Sequence, residues 1–186
     1  QVLDTLDQLG AADNTLIVVT SDNGARPCDV DGETYGHKSC GDWRGFKADI
    51  WDGGHREPFI VRWPGRVPAG STCDETVCLI DLMATAAAIL GTGLPEDAAP
   101  DSVNILPYLL GDEVERPLRE AIVHHSVDGM FSIRQGPWKL ILGLGSGEHE
   151  PYGLVVHDEG DEELRPEARD RGSIGTVVAV SYTHLT

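Results

Sequence analysis

The stretch that most constrains this chain is TLIVVTSDNGARP, residues 15–27, where five largely β-branched or aliphatic residues, Leu16 to Thr20, run directly into Ser21, Asp22, Asn23 and Gly24. A short apolar run bounded by turn residues predicts a strand buried in a sheet. Asp-Asn-Gly is by itself an ordinary turn signal, because Asx side chains bond their own backbone and glycine accepts the tight geometry. The same residues offer two hard oxygens at the carboxyl end of a strand, where open parallel α/β sheets place their ligands.

The flanks extend the pattern. QVLDTLDQLGAADN carries Leu3, Leu6 and Leu9 at near-helical spacing, with Gly10 placed to close a helix before the strand. Residues 25–46 are polar, rich in Gly and Asp, and without periodicity, and a loop of that length is usually functional. Pro58 opens a second strand, Phe59 to Trp63, which Pro64-Gly65 turns. In CLIDLMATAAAILG, the residues Leu79, Leu82, Met83, Ala86, Ile89 and Leu90 predict one apolar helix face ending at Gly91. Helix, strand, long loop, strand, helix is an α/β order. Farther on, AIVHHS, GMFSIRQG and WKLILGLG alternate as short strands of a small antiparallel sheet, with His124 and His125 on opposite faces of one strand. They read as a satisfied, partly buried pair.

Charge limits the partners. With 31 acidic against 14 basic residues, a formal charge of −17 disfavours nucleic acid and anionic membrane surfaces, and an anionic substrate would need a local cationic site. No apolar run approaches the roughly 20 residues of a membrane span. Cys28, Cys40, Cys73 and Cys78 form no C-x-x-C pair and have no histidine at zinc-finger spacing, which argues against zinc and leaves disulfide status open. A chain that starts without Met and inside a helical pattern is expected to be a piece of something longer, in which a leader sequence could not be seen.

Four segments in order carry a resemblance: LDQLGAADNTLIVVTSDNGA, WRGFKADIWDGGHREPFIVRWPGRV, DLMATAAAILG and FSIRQGPWKLIL. Together they resemble the later part of the catalytic region of a type I sulfatase, an arylsulfatase-like member of the alkaline phosphatase superfamily. The resemblance implies an α/β fold, a mixed sheet flanked by helices, present here in part, followed by a small antiparallel subdomain. On that reading residues 1–94 are the C-terminal part of the catalytic domain, 95–120 a linker, 121–145 the subdomain strands, and 146–186 a divergent tail to which no structure or function is assigned.

The resemblance also implies roles. Asp22 and Asn23 match the carboxylate and carboxamide that bind a divalent cation, usually calcium, which favours such oxygens. Lys47, just ahead of WDGG, matches a lysine that contacts the sulfate, where a fixed ammonium stabilises charge developing on the transferring group. Gly53 and Gly54 would turn the backbone behind the site, and Arg56 would make a structural ion pair. His37 and Arg44 lie in the loop that some sulfatases use to recognise the group bearing the sulfate. The partner implied is a sulfate ester, aryl or carbohydrate, and the location periplasmic or extracellular.

The nucleophile expected of such an enzyme is a formylglycine made within a Cys-x-Pro-Ser-Arg-like motif, and this sequence has none. CGDWR has Cys40 and Arg44 at the right separation but lacks Pro and Ser and follows the Asp-Asn element. The nucleophile, the paired aspartates and the remaining sulfate ligands are therefore expected upstream, and this chain alone is expected to be inactive. Two other classes compete: a phosphodiesterase or phosphoethanolamine transferase of the same superfamily, which would want more His and Asp metal ligands, and a non-catalytic interaction module.

Overall fold

In the computed structural model the described residues are 1–26, 34–147 and the strand 178–181. Cys28 and nearly all of the expected tail lie outside them. Along the chain run α1 (Val2–Gln8), a 3-10 turn (Ala12–Asn14), β1 (Ile17–Thr20), α2 (Asp52–His55), β2 (Phe59–Arg62), α3 (Asp81–Leu90), α4 (Leu106–Leu110), β3 (Ile122–His125), β4 (Phe131–Gln135), β5 (Trp138–Ile141) and β6 (Val178–Ser181). They fall into two compact units, each assembled from two separated stretches: residues 1–22 with 57–122, and residues 23–56 with 123–186. Among the described residues no helix is long and apolar enough to cross a membrane.

In the first unit, Gly10 takes the left-handed conformation, φ +64°, that ends the helical run after Leu9. The strand predicted from residue 16 forms, but β1 pairs antiparallel with β2, Val18 opposite Val61 and Val19 opposite Ile60. Among the described residues β2 is its only strand neighbour. One face of the ribbon is open, Val19 being 54% and Ile60 62% exposed.

Helix α3 ends where its sequence says it should, on Gly91 at φ +64°, but it buries a different face. Asp81, Thr85 and Ala87 point inward, while Met83 and Leu90 are exposed. Hydrogen bonds decide this. Asp81 Oδ2 accepts from the Cys78 amide at 2.8 Å, and Oδ1 accepts from the Val103 amide at 2.9 Å and from the Arg119 guanidinium. Thr85 Oγ1 donates to the Asp81 carbonyl at 2.7 Å and accepts from the Ile105 amide at 3.0 Å, and Ser102 Oγ accepts from the Ala84 amide at 2.9 Å. A carboxylate with no exposure must satisfy its lone pairs, so its partners set the helix's rotation.

In the second unit β3, β4, β5 and β6 form one sheet in that order, with β4–β5 and β5–β6 antiparallel. Gly136 at φ +53° and Pro137 make the two-residue turn between Gln135 and Trp138. Burial alternates as a strand requires, but the inward face holds Ser132, Arg134, Lys139 and Ile141, while Phe131, Ile133 and Trp138 face out.

Candidate active site

Asp22, exposed just beyond β1, closes the first unit, and Asn23 opens the second. Within the second unit the segment after Asn23 lies against the loop that carries Lys47. The Gly24 amide donates to the Gly54 carbonyl at 3.0 Å, and the Lys47 amide donates to the Ala25 carbonyl at 2.9 Å. A Cβ on Gly24 would sit 1.8 Å from the Gly53 carbonyl oxygen, and one on Gly53 would sit 1.9 Å from that of Gly45. Backbone stacks on backbone here, which only glycine permits. The Gly24-Ala25 and WDGG elements, separate in sequence, thus form one layer.

Lys47 is exposed, and among the described residues its ammonium has neither a hydrogen-bond nor an ion-pair partner. Its backbone is well held. The Phe46 amide donates to Asp49 Oδ2 at 3.0 Å, the Gly53 amide to the Arg44 carbonyl at 2.7 Å, and Ala48 adopts φ +85°, a conformation non-glycine residues rarely take.

Beneath this turn sits Asp52, 2% exposed. It accepts from Arg56 Nε at 2.9 Å, from Arg134 Nη2 at 2.7 Å through Oδ1 and 2.5 Å through Oδ2, and from Lys139 Nζ at 3.1 Å. Lys139 Nζ also donates to the Ile50 carbonyl at 2.5 Å. Burial works to raise the Asp52 carboxyl, but the Arg56 hydrogen bond and the charges of Lys139 and Arg134 overcome it and hold it at about 2. Burial likewise depresses Lys139, against the pull of Asp52. Arg56 thus makes the structural ion pair expected of it. Sequence reading passed over Asp52, Arg134 and Lys139, although the register of IRQGPWKL places the two cations opposite each other.

His55 and His124 pack with ring centroids 4.2 Å apart at a 50° tilt, and among the described residues neither buried Nε2 has a hydrogen-bond partner. Burial first, and then the Lys139 charge, holds His55 down at about 4 and His124 at about 3. His124 is therefore not the satisfied histidine expected of this pair. His125 does lie on the opposite, exposed face, its Nδ1 2.7 Å from the Ser126 carbonyl.

Of the other sequence candidates, Arg44 and Cys40 border the WDGG backbone at Gly53, whereas His37 does not. His37 is exposed, and no hydrogen bond or ion pair ties it to the Lys47 loop. The Arg44 guanidinium lies 4.0 Å over the Trp51 ring, and Arg56 covers Trp43 at the same distance. Cys40 is a free thiol whose Sγ lies 3.4 Å from the Gly53 carbonyl, as a structural residue would.

In the first unit, burial and then the charge of Asp22 push the Glu57 carboxyl up, and among the described residues the buried Glu57 Oε1 has no hydrogen-bond partner. A cation relieves that combination of repulsion and unmet acceptor. Among the described residues, however, no three His, Cys, Asp or Glu converge on a point. The residues present fit part of a hard-cation site.

Residues 1–92 match the sulfatase family model. The chain belongs to the sulfatase family. Its residues are 40% identical over 148 positions to an N-acetylgalactosamine-6-O-sulfatase of Bacteroides thetaiotaomicron, covering 76% of this chain and 28% of that protein. They are 41% identical to the steryl-sulfatase of Rattus norvegicus, covering 67% and 22% respectively. A solved structure described under the metabolism of multiple glycosaminoglycans by Bacteroides thetaiotaomicron superposes with a TM-score of 0.71 at 37% identity, covering 80% of this chain and 32% of that one. A sulfatase from Pseudoalteromonas sp. does so at 0.63 and 28% identity, covering 77% and 28%. The sulfatase chain thus spans under a third of the length of these relatives, and its fold is the alkaline phosphatase-like α/β fold expected.

Proposed function

We propose that this chain supplies one side of a sulfate ester hydrolase site: Lys47 binds the sulfate, Asp22 and Asn23 contribute to a calcium site, and a formylglycine nucleophile comes from a segment upstream of it. The supporting observation is the Lys47 amide bond to Ala25, which seats an exposed, unpartnered ammonium on the backbone layer that follows Asn23. A sulfuryl group in transfer spreads negative charge over its oxygens, and an ammonium fixed before the substrate arrives stabilises that charge without reorganising. Calcium, when bound, would polarise the sulfate and neutralise its charge. Asp22 would hold it as a carboxylate and Asn23 as an amide, with Glu57 close enough to Asp22 to feel its charge. Two such residues cannot enclose an ion that takes 6–8 oxygens, so further ligands must come from elsewhere.

Relatives named as N-acetylgalactosamine-6-O-sulfatase and as steryl-sulfatase match the chain about equally, and one neighbour was solved in complex with k-i-k-neocarrahexaose. The substrate class proposed is a sulfate ester, carbohydrate sulfate being the first to test. In the intact enzyme, Lys47→Ala should lower kcat by about 100-fold on 4-nitrophenyl sulfate and on 6-O-sulfated N-acetylgalactosamine, while calcium affinity by titration calorimetry stays unchanged. Unchanged turnover in a folded variant would sink the assignment.

A further inference from the structure

We propose that Asp52 is a positioning residue, which acts with Arg134 and Lys139 of the β4–β5 hairpin to hold the turn that aims Lys47. This rests on the reading of Lys47 as the sulfate-binding lysine, and all the residues involved belong to the second unit.

The hairpin is built at odds with ordinary strand chemistry unless Asp52 is present. Arg134 and Lys139 are directly opposed in register, both facing inward, and Lys139 is only 2% exposed. Like charges across a strand pair repel, and buried cations are costly when unpaired. Asp52 bridges both, with its two oxygens on Arg134 and one of them also on Lys139.

What this arrangement holds is the segment around Lys47. Ala48 at φ +85° is strained by about 1–3 kcal/mol, and such strain persists only where the surroundings impose it. The sheet end of the unit imposes it at three points. The Val127 amide donates to the Ala48 carbonyl at 3.0 Å, the Ile50 amide to the Ser146 carbonyl at 2.7 Å, and Lys139 Nζ to the Ile50 carbonyl at 2.5 Å. Asp52, two residues farther along, anchors the far end of the turn to the hairpin. Lys47 lies exposed at the near end, its side chain untethered and its backbone bonded to Ala25. The aim of the ammonium therefore depends on a carboxylate that does not touch it.

Two measurements test this in the intact protein. The first is amide hydrogen exchange, which is independent of activity. Asp52→Asn should speed exchange at Lys47, Ile50 and Gly53 by about 10-fold or more, while the amides of α3 keep their protection. Should Asp52→Asn unfold the protein, Lys139→Met is read instead, since it leaves both arginines on the carboxylate and removes only the lysine's bonds to Asp52 Oδ1 and to the Ile50 carbonyl. It should speed exchange at Ile50 and Lys47, and wild-type protection at those amides in a folded variant overturns the proposal. The second is a double-mutant cycle on kcat. Asp52→Asn should cost about 10–100-fold with KM little changed, and Asp52→Asn with Lys47→Ala should be no slower than Lys47→Ala alone. Multiplicative losses would show that Asp52 does not act through Lys47 and would overturn the proposal. If Lys47→Ala alone keeps full turnover, the reading of Lys47 fails, and hydrogen exchange still decides whether Asp52 holds the turn.

Discussion

Gly24→Ala adds a single methyl group at the place where the two site segments touch. The new Cβ would stand 1.8 Å from the Gly53 carbonyl oxygen and 2.7 Å from the Gly54 Cα, where real Cβ contacts essentially never fall below 3.0 Å. Both obstacles are backbone, so no side chain can swing aside, and the layers must part by about 1 Å. Overpacking of this kind costs about 1–3 kcal/mol. The Gly24 amide bond to Gly54, 3.0 Å long, would be stretched or lost, adding about 0.5–1.5 kcal/mol. The sum, about 2–4 kcal/mol, corresponds to a fall in Tm of roughly 5–15 °C at this chain size. A displacement of about 1 Å between Asn23 and Lys47 should also cost on the order of 100-fold in turnover. The assay is thermal unfolding by circular dichroism beside sulfate release in the intact enzyme. Gly93→Ala serves as control, because nothing lies within 4 Å of its added Cβ. A Gly24→Ala protein with wild-type Tm and turnover would refute the claim that these two backbones are in forced contact.

Acid should destabilise the second unit in a defined window. His55 and His124 are held at about 4 and about 3, below the ordinary 6.5, so the stability tied to their neutral forms is full above pH 6.5 and is lost as pH falls toward 4. Between pH 7 and 5 the loss should be about 1 kcal/mol per histidine, taken below the full linkage value because both rings are only half buried, and urea midpoints of His55→Gln with His124→Asn should be flatter across that range. Asp52, at about 2, adds its own loss only below about pH 4. In the first unit, Asp81→Asn turns an acceptor of the Cys78 amide into a donor and leaves Arg119 without its carboxylate, so chemical denaturation should show a loss of about 3–5 kcal/mol. Asp22→Ala should weaken calcium binding at least 10-fold by calorimetry, and unchanged affinity would return Asp22 to an ordinary turn residue.

Much of the molecule was legible because it obeys local rules. Gly10 and Gly91 stop their helices, the strand before SDNG forms, and the hairpin turns at Gly136-Pro137. The errors came where polar groups were buried. Apolar periodicity put Met83 and Leu90 on the inner face of α3, yet Asp81 and Thr85 occupy it, because a satisfied carboxylate network outweighs a stripe of methyl groups. The same inversion hides Arg134 and Lys139, which alternate correctly but on the face that sequence rules reserve for Ile133 and Phe131. Lys47 could be found only through resemblance, since an exposed lysine has no local signature. Asp52 could be found only once the hairpin's register showed where its two cations lay.

The Asp52 bridge has a consequence for how the chain is made. Its carboxylate lies 82 residues before Arg134 and 87 before Lys139. All of residues 57–122, which build most of the other unit, must emerge from the ribosome before the bridge can close. Contacts this distant slow folding, because the loop entropy is spent before any contact repays it. Until β4 and β5 arrive, the turn at Ala48 lacks the bonds that Ser146 and Lys139 make to Ile50, and Asp52 lacks both of its hairpin cations. The site segment should therefore be among the last regions to acquire native structure, and translation stalled before Phe131 should leave DNGA and WDGG open to protease while β1 and β2 are already paired.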